Sequence, residues 1–409
     1  MRLEFSVSEA FLNFEWKRRA QESILQGALT NSKRPECFIE GVYPTHLSKG
    51  EGCYLFDSEN KKYIDYICGL GSNLFGYANL HINEAVTRQL FKGAVLSLSS
   101  TLEVECAELL KERLHFVSKL RFLKTGTEAC MGAIKIARAH TGRSKILSRH
   151  YHGWSDPFIS LSPPSIGVPA DPNIEILVSI NNIDETVAAV IIEPVVTDYS
   201  SSNTRWLMSL KEKCKSTGTL LIFDEIITGM RYRGFTVAND TGIYPDIICL
   251  GKAFGGGLPI SVIGCAQGIG EGKEWFISST FAGDLLALAA FKKCLDLLTN
   301  TNKIDDLWID GNRFITDFNG ILPDKIWIEG YPTRGVFKSD TDLTKALFFQ
   351  ESCKAGILFG SSWFYNFKHP EVREIVISAC RDILQRIKHG HVKLEGKMPT
   401  TPFAQKQRG

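Results

Sequence analysis

The chain has 409 residues, of which 44% are hydrophobic and 22% charged, and a formal net charge of +2. This is the make-up of an ordinary soluble globular protein with room for two or three domains. The balanced charge gives no general electrostatic case for nucleic acid or an acidic membrane, and no apolar run approaches the length of a membrane span.

The N-terminal stretch MRLEFSVSEAFLNFEWKRR has acids and no hydrophobic h-region, so it does not read as a secretory signal. Apolar residues at helical spacing, Phe11, Phe14, Ile24 and Leu25 among them, predict an amphipathic helix over 8–27 that ends at Gly27. The segment Thr30 to Pro35 reads as an extended loop, because Pro35 disfavours helix before it. Residues 53–57 and 62–66 flank a polar turn and predict a hairpin, with Asp57 and Asp65 as hairpin residues. A helix is expected over 101–115 with Thr101 as its N-cap, then a short strand at Arg121-Phe122-Leu123. Thr125-Gly126-Thr127-Glu128-Ala129 follows and opens a helix running through Ala139. Strand, small polar turn and helix start make a phosphate-binding geometry, although such a turn taken alone is more often a plain N-cap. Strands are expected at 144–149 and 187–192, the first followed by Tyr151-His152-Gly153-Trp154 and the second by Glu193-Pro194. A helix at 206–216, a strand at 260–266 and a helix at 285–298 complete the larger part. From Lys303 the pattern changes to helix, short strands and helix, the last spanning 370–389. The 11 cysteines are scattered without CxxC pairs and read as reduced cytosolic thiols, mostly small core residues.

The stretch from Thr219 to Pro259 carries the chemistry. Asp224 ends the apolar run Leu220-Leu221-Ile222-Phe223, and Lys252 follows Ile247-Ile248-Cys249-Leu250 after one glycine. Both runs read as strands buried on both faces of a parallel sheet, whose ligands sit at the carboxyl ends of the strands. An anion and a cation therefore reach one rim. On spacing alone they read equally well as a buried structural ion pair or as a site. A desolvated lysine is a nucleophile toward carbonyls, and a pyridoxal phosphate ring needs such a lysine and a carboxylate at its ring nitrogen. Other chemistries fail: Gly268 to Lys273 completes neither a dinucleotide fingerprint nor a P-loop, and no GxSxG elbow or HExxH is present. His150 and His152 flank Tyr151 with nothing nearby in sequence to complete a metal-ligand set.

The words DEIITGMR, YPDI and LGKAFGGGLP, together with GCYLFDSENKKYIDYICGLGSNLFGY upstream, resemble the class III pyridoxal-phosphate aminotransferases, closest to the branch containing glutamate-1-semialdehyde 2,1-aminomutase. The resemblance covers about Pro35 to His369. It implies an α/β fold of type I: a large domain with a mostly parallel sheet between helices, and a smaller α/β domain. The expected division is an N-terminal segment at 1–70 packing with the small domain, a large cofactor-binding domain at 71–302, the small domain at 303–395, and a fraying tail at 396–409. The resemblance implies pyridoxal 5'-phosphate as cofactor, joined to Lys252 as a Schiff base, with Asp224 at the ring nitrogen. Gly126, Thr127 and Thr280 would hold the phosphate, Thr280 across the interface of a homodimer with composite sites. Tyr151 would stack on the ring, with His152, Glu193 and Ile226 among the cofactor contacts. Arg34 lies near the place of an arginine that grips a substrate carboxylate in the aminomutases. The implied partners are a small-molecule amino donor and a carbonyl acceptor, in the cytoplasm, with no nucleic acid and no membrane.

Transamination is the function this implies, to a keto acid, aldehyde or keto-sugar, with the aminomutase reaction as the alternative and an inactive scaffold subunit as a remote one. Three departures weigh against the aminomutase. Asp284-Leu285 stands where the family often has Asn-Pro, the segment Glu271 to Phe276 is short for a gating loop, and Trp154 stands where aminomutases tend to have histidine.

Overall fold

The computed structural model describes residues 7–161, 166–272, 274 and 276–400, with side chains from Phe14 onward. Phe11, Lys273, Trp275 within the segment Glu271 to Phe276, and the tail beyond Thr400 lie outside the side chains or residues so described. The chain forms two compact units, one built from Gly71–Phe75 and Asn79–Asp306, the other from the segments up to Leu70, at Gly76–Ala78 and from Leu307.

The first of these units is organised by a seven-stranded sheet. Its spatial order is Lys119–Leu123, Ser261–Cys265, Ile247–Gly251, Leu220–Glu225, Val187–Ile192, Lys145–Arg149 and Ile174–Ile176. Ser261–Cys265 pairs antiparallel with both of its neighbours, and the five strands from Ile247–Gly251 onward pair in parallel. Every residue of Val187–Ile192, Leu220–Glu225 and Ile247–Gly251 is buried, as a sheet covered on both faces requires. The helix Gly126–Thr141 supplies part of that cover: Ala129, Ala133, Ile134 and Ala137 share one apolar cluster with Ile191, Ile222, Ile247 and Ile263.

The other unit carries a four-stranded sheet in the order Leu47–Glu51, Tyr54–Asp57, Lys62–Asp65 and Ile357–Leu358, and a three-stranded one of Ile326–Tyr331, Arg334–Ser339 and Ser362–Phe364. Its core is aromatic, with Tyr66, Phe314, Phe348, Phe359, Trp363 and Tyr365 all fully buried. The hairpin expected at Asp57 and Asp65 forms. Both aspartates are buried and fixed: Asp57 accepts from the Glu59 and Lys61 amides, and Asp65 from the Ile67 and Cys68 amides and the Tyr77 hydroxyl.

Several boundaries differ from the sequence reading. The first helix ends at Ser23 rather than Gly27, because Ile24 is extended and both Gln26 and Gly27 are left-handed. The loop after it is not extended: Asn31–Lys33 and Pro35–Cys37 are 3-10 turns. Pro35 restrains only Arg34, which is extended at φ −62°, ψ 140°. The helix Thr101–Arg113 is capped by Ser100, not Thr101, because Glu103 completes the reciprocal pair of bonds only from that position. The final helix is Arg373–Lys388, preceded by a 3-10 turn at His369–Val372.

Candidate active site

Asp224 and Lys252 meet at one rim through strand register. Asp224 lies opposite Cys249 on the neighbouring parallel strand, and Lys252 follows that strand directly. Lys252 is left-handed at φ 49°, a costly backbone for a residue with a Cβ, and such strain clusters at functional sites. A cavity of about 370 Å³, within the range of small-ligand sites, opens here. Gly126, Thr127, Tyr151, His152, Glu193, Asp224, Ile226 and Lys252 all line it.

Each wall has a local cause. Thr125 caps the helix Gly126–Thr141, accepting from the Glu128 amide, while Glu128 accepts from the Thr125 and Lys124 amides. The amides of Gly126 and Thr127 are left at the open helix end, which lacks intrahelical acceptors and carries the positive end of the dipole. A Cβ on Gly126 would stand 3.1 Å from Ile226, so the absent side chain lets Ile226 close on the turn. Gly153 is left-handed at φ +111°, and a Cβ there would fall 2.3 Å from Thr127 Oγ1. Only glycine lets the loop after Arg149 pass so close to the helix start. That loop delivers Tyr151, 41% exposed, and His152, 2% exposed.

Asp224 is 5% exposed and is held by hydrogen bonds. His152 Nδ1 lies 2.7 Å from Oδ2, and the Ile226 amide donates to Oδ1 at 3.0 Å. His152 Nε2 lies 2.8 Å from the Arg149 carbonyl. Burial alone would depress the His152 pKa, but the bond and charge of Asp224, with Glu193 and that carbonyl, turn the net shift upward. Cys130, which the sequence reading did not single out, also meets Asp224 Oδ2, at 3.4 Å.

Cys130, His152 and Asp224 place ligand-type atoms within 4.8 Å of one another. The sequence around His152 offered no such partners; the fold brings them from remote segments. The 2.7 Å separation is a hydrogen bond, shorter than the roughly 3.3 Å between ligand atoms around a tetrahedral zinc. The three groups form a hydrogen-bonded cluster.

Lys124, also not singled out, lines the cavity and pairs with Asp284 at 2.6 Å. Asp284 caps the helix Leu285–Leu298 as well, so the Asp-Leu departure from the family's Asn-Pro has a structural use. Two predicted residues stand apart. Thr280 is exposed on a turn and is not among the lining residues. Arg34 belongs to the other unit, where its Nε is buried without a hydrogen-bond partner among the described residues.

Pyridoxal phosphate fits this donor set: a strand-end lysine, a buried carboxylate locked by three donors, an open helix end, and a glycine at the turn that a Cβ would fill. The family model for class III aminotransferases matches residues 40–170 and 171–360, and the chain belongs to that pyridoxal-phosphate-dependent family. Among solved structures, the PLP internal aldimine form of the FumI protein of Sphingopyxis sp. MTA144 superposes with a TM-score of 0.87 at 21% identity, covering 95% of this chain and 98% of that one. An omega-transaminase from Sphaerobacter thermophilus gives 0.77 at 23%, covering 92% and 98%. A glutamate-1-semialdehyde aminomutase from Pseudomonas aeruginosa PAO1 gives 0.80 at 18%, covering 93% and 95%. At these identities the likenesses establish the type I fold of the family.

Proposed function

We propose that the protein is a transaminase that takes the amino group of an amino-acid donor and passes it to a keto acid, an aldehyde or a keto-sugar. The observation that carries this reading is the convergence of Lys252, Asp224 and the open end of the helix Gly126–Thr141 on one cavity. Bound pyridoxal phosphate supplies an electron sink for the carbanion at the substrate carbon. Lys252 Nζ would hold the cofactor and would move a proton at the substrate's reacting carbon. Asp224 keeps the proton on the ring nitrogen, and His152 orients Asp224. The Gly126 and Thr127 amides hold the phosphate. Tyr151 covers the ring from the loop that Gly153 lets close. Glu193, which approaches the Tyr151 amide at 3.4 Å, sits beside that face.

The aminomutase reaction uses the same residues and differs in retaining its intermediate behind a closing loop. The short segment between Glu271 and Phe276 favours release, hence transamination. An amino-donor screen with and without an added carbonyl acceptor separates the two: a transaminase turns over only with the acceptor, and acceptor-independent isomerisation of an amino aldehyde contradicts the proposal.

We place the enzyme as a cytoplasmic homodimer in which Thr280 completes the partner's phosphate site. Two adjacent loops support a second copy. The Leu285 amide donates to the Ala94 carbonyl, and the segments around Ala94 and before Leu285 expose Phe91, Leu96, Leu98, Phe276 and Phe281, each more than half exposed. Apolar exposure of this kind on a soluble chain marks an interface. No helix among the described residues is long and apolar enough to cross a membrane.

A further inference from the structure

Asp224 has one donor whose place in the fold suggests a task of its own. Cys130 lies on the second turn of the helix Gly126–Thr141, just inside the phosphate turn, and is 1% exposed. It lines the same cavity. Its Sγ donates to Asp224 Oδ2 at 3.4 Å, the oxygen that His152 also contacts, while the Ile226 amide takes Oδ1. A thiol within reach of a carboxylate donates only while it keeps its proton. The neighbouring Cys249, burial and the Asp224 charge together hold the Cys130 thiol well above the usual range, so the S–H persists. A buried carboxylate is costly unless its lone pairs are met.

We propose that Cys130 is a positioning residue for the ring-nitrogen contact: its S–H fixes the orientation of the Asp224 carboxylate and thereby sets how tightly the cofactor's ring nitrogen is held. The helix that binds the phosphate at its first turn thus also supports, one turn further in, the group that binds the ring. Cofactor seating at the two ends of the ring is coupled through one rigid element. This rests on the assignment of Asp224 to the ring nitrogen, and the test separates the two.

Cofactor-free full-length protein is titrated with pyridoxal 5'-phosphate and, separately, with the analogue carrying C–H in place of the ring nitrogen. Wild type, Cys130→Ala and Cys130→Ser are compared by fluorescence quenching. Cys130→Ala is expected to weaken pyridoxal phosphate about fivefold, the loss of one modest hydrogen bond to a charged group. It is expected to leave the analogue unchanged, because that ring makes no bond to Asp224. Cys130→Ser, which keeps a donor, is expected to stay within about twofold of wild type. Equal weakening of both ligands would show a packing effect and overturn the inference, as would unchanged pyridoxal phosphate binding in Cys130→Ala. If Cys130→Ala does not fold, Cys130→Ser alone decides through the same two ligands, and a fivefold loss for both contradicts the role. If wild type itself binds both ligands equally, the assignment of Asp224 to the ring nitrogen fails, and that outcome is visible before any variant is made.

Discussion

Asp224 concentrates the site's electrostatics in one side chain. Two of its donors, His152 and the Ile226 amide, come from a loop and from its own strand end, and the third from a helix. Asp224→Asn keeps size and shape but removes the charge proposed to hold the ring proton. A tenfold change in rate corresponds to ~1.36 kcal/mol, so losing a few kcal/mol of carbanion stabilisation is expected to slow turnover by two or more orders of magnitude. Steady-state rates within threefold of wild type would contradict the role. The strand-end placement of Asp224 and Lys252 was legible in the sequence, because one follows an unbroken apolar run directly and the other after a single glycine, which marks both strands and their carboxyl ends. Cys130 and Lys124 were not. A cysteine among helical alanines reads as core, and a lysine before a turn reads as solvated. Their partners, Asp224 and Asp284, lie far along the chain and arrive only with the tertiary fold.

At the scale of elements, the strand runs were legible and the caps less so. Val187–Ile192 and Leu285–Leu298 stand where the apolar patterns put them. Thr101 was misread because two adjacent hydroxyls both suit an N-cap, and only the spacing to Glu103 distinguishes Ser100. The close passage of Gly153 over Thr127 has no sequence signal beyond the glycine itself. Gly153→Ala would place a Cβ 2.3 Å from Thr127 Oγ1 on a left-handed backbone. The expected result is a folded protein with at least tenfold weaker pyridoxal phosphate binding, the size of a displaced phosphate-turn contact at 1.4 kcal/mol per tenfold. A dissociation constant equal to wild type would show that the loop does not set the cradle.

The strand Leu220–Glu225 turns the residue after Asp224 to the opposite face. There Glu225, fully buried, accepts from the Val237 and Ala238 amides and the Thr228 hydroxyl. Burial raises its pKa to about 7, against the lowering effect of those three donors, and the Asp224 charge adds to the rise. A carboxyl whose folded pKa lies above its unfolded value stabilises the fold fully below the unfolded value of 4.5 and loses that contribution as pH rises through about 7. Asp65, raised by burial, and His152, raised by Asp224, act in the same direction in both proteins being compared. Thermal melts of the cofactor-free chain at pH 5 to 8 are therefore expected to fall less steeply with pH in Glu225→Gln than in wild type. Parallel pH profiles would place the Glu225 titration outside this range.

For the whole molecule, the claim that tests composition of the site is the homodimer. Lys252→Ala mixed with Thr280→Val after joint refolding should form hybrids in which one site carries both defects and the other neither. Shared sites predict recovery toward a quarter of wild-type activity, the fraction of intact sites in a random mixture in which half the dimers are hybrids. Recovery no greater than the sum of the two variants alone would place Thr280 in its own protomer's chemistry or in none. The exposed apolar side chains at 91–98 and 276–281 were not readable as one patch from composition, because scattered surface leucines and phenylalanines are ordinary and only the fold brings the two loops together. The central claim is narrower: Lys252 is the residue that holds the cofactor. Purified protein incubated with pyridoxal 5'-phosphate, reduced with borohydride and digested for mass spectrometry measures this directly. The account predicts a visible band lost on reduction and a single phosphopyridoxyl adduct on the peptide containing Lys252, absent from Lys252→Ala. An adduct on Lys124 or another lysine in place of Lys252, or no visible band in protein that is folded and saturated with cofactor, would contradict it.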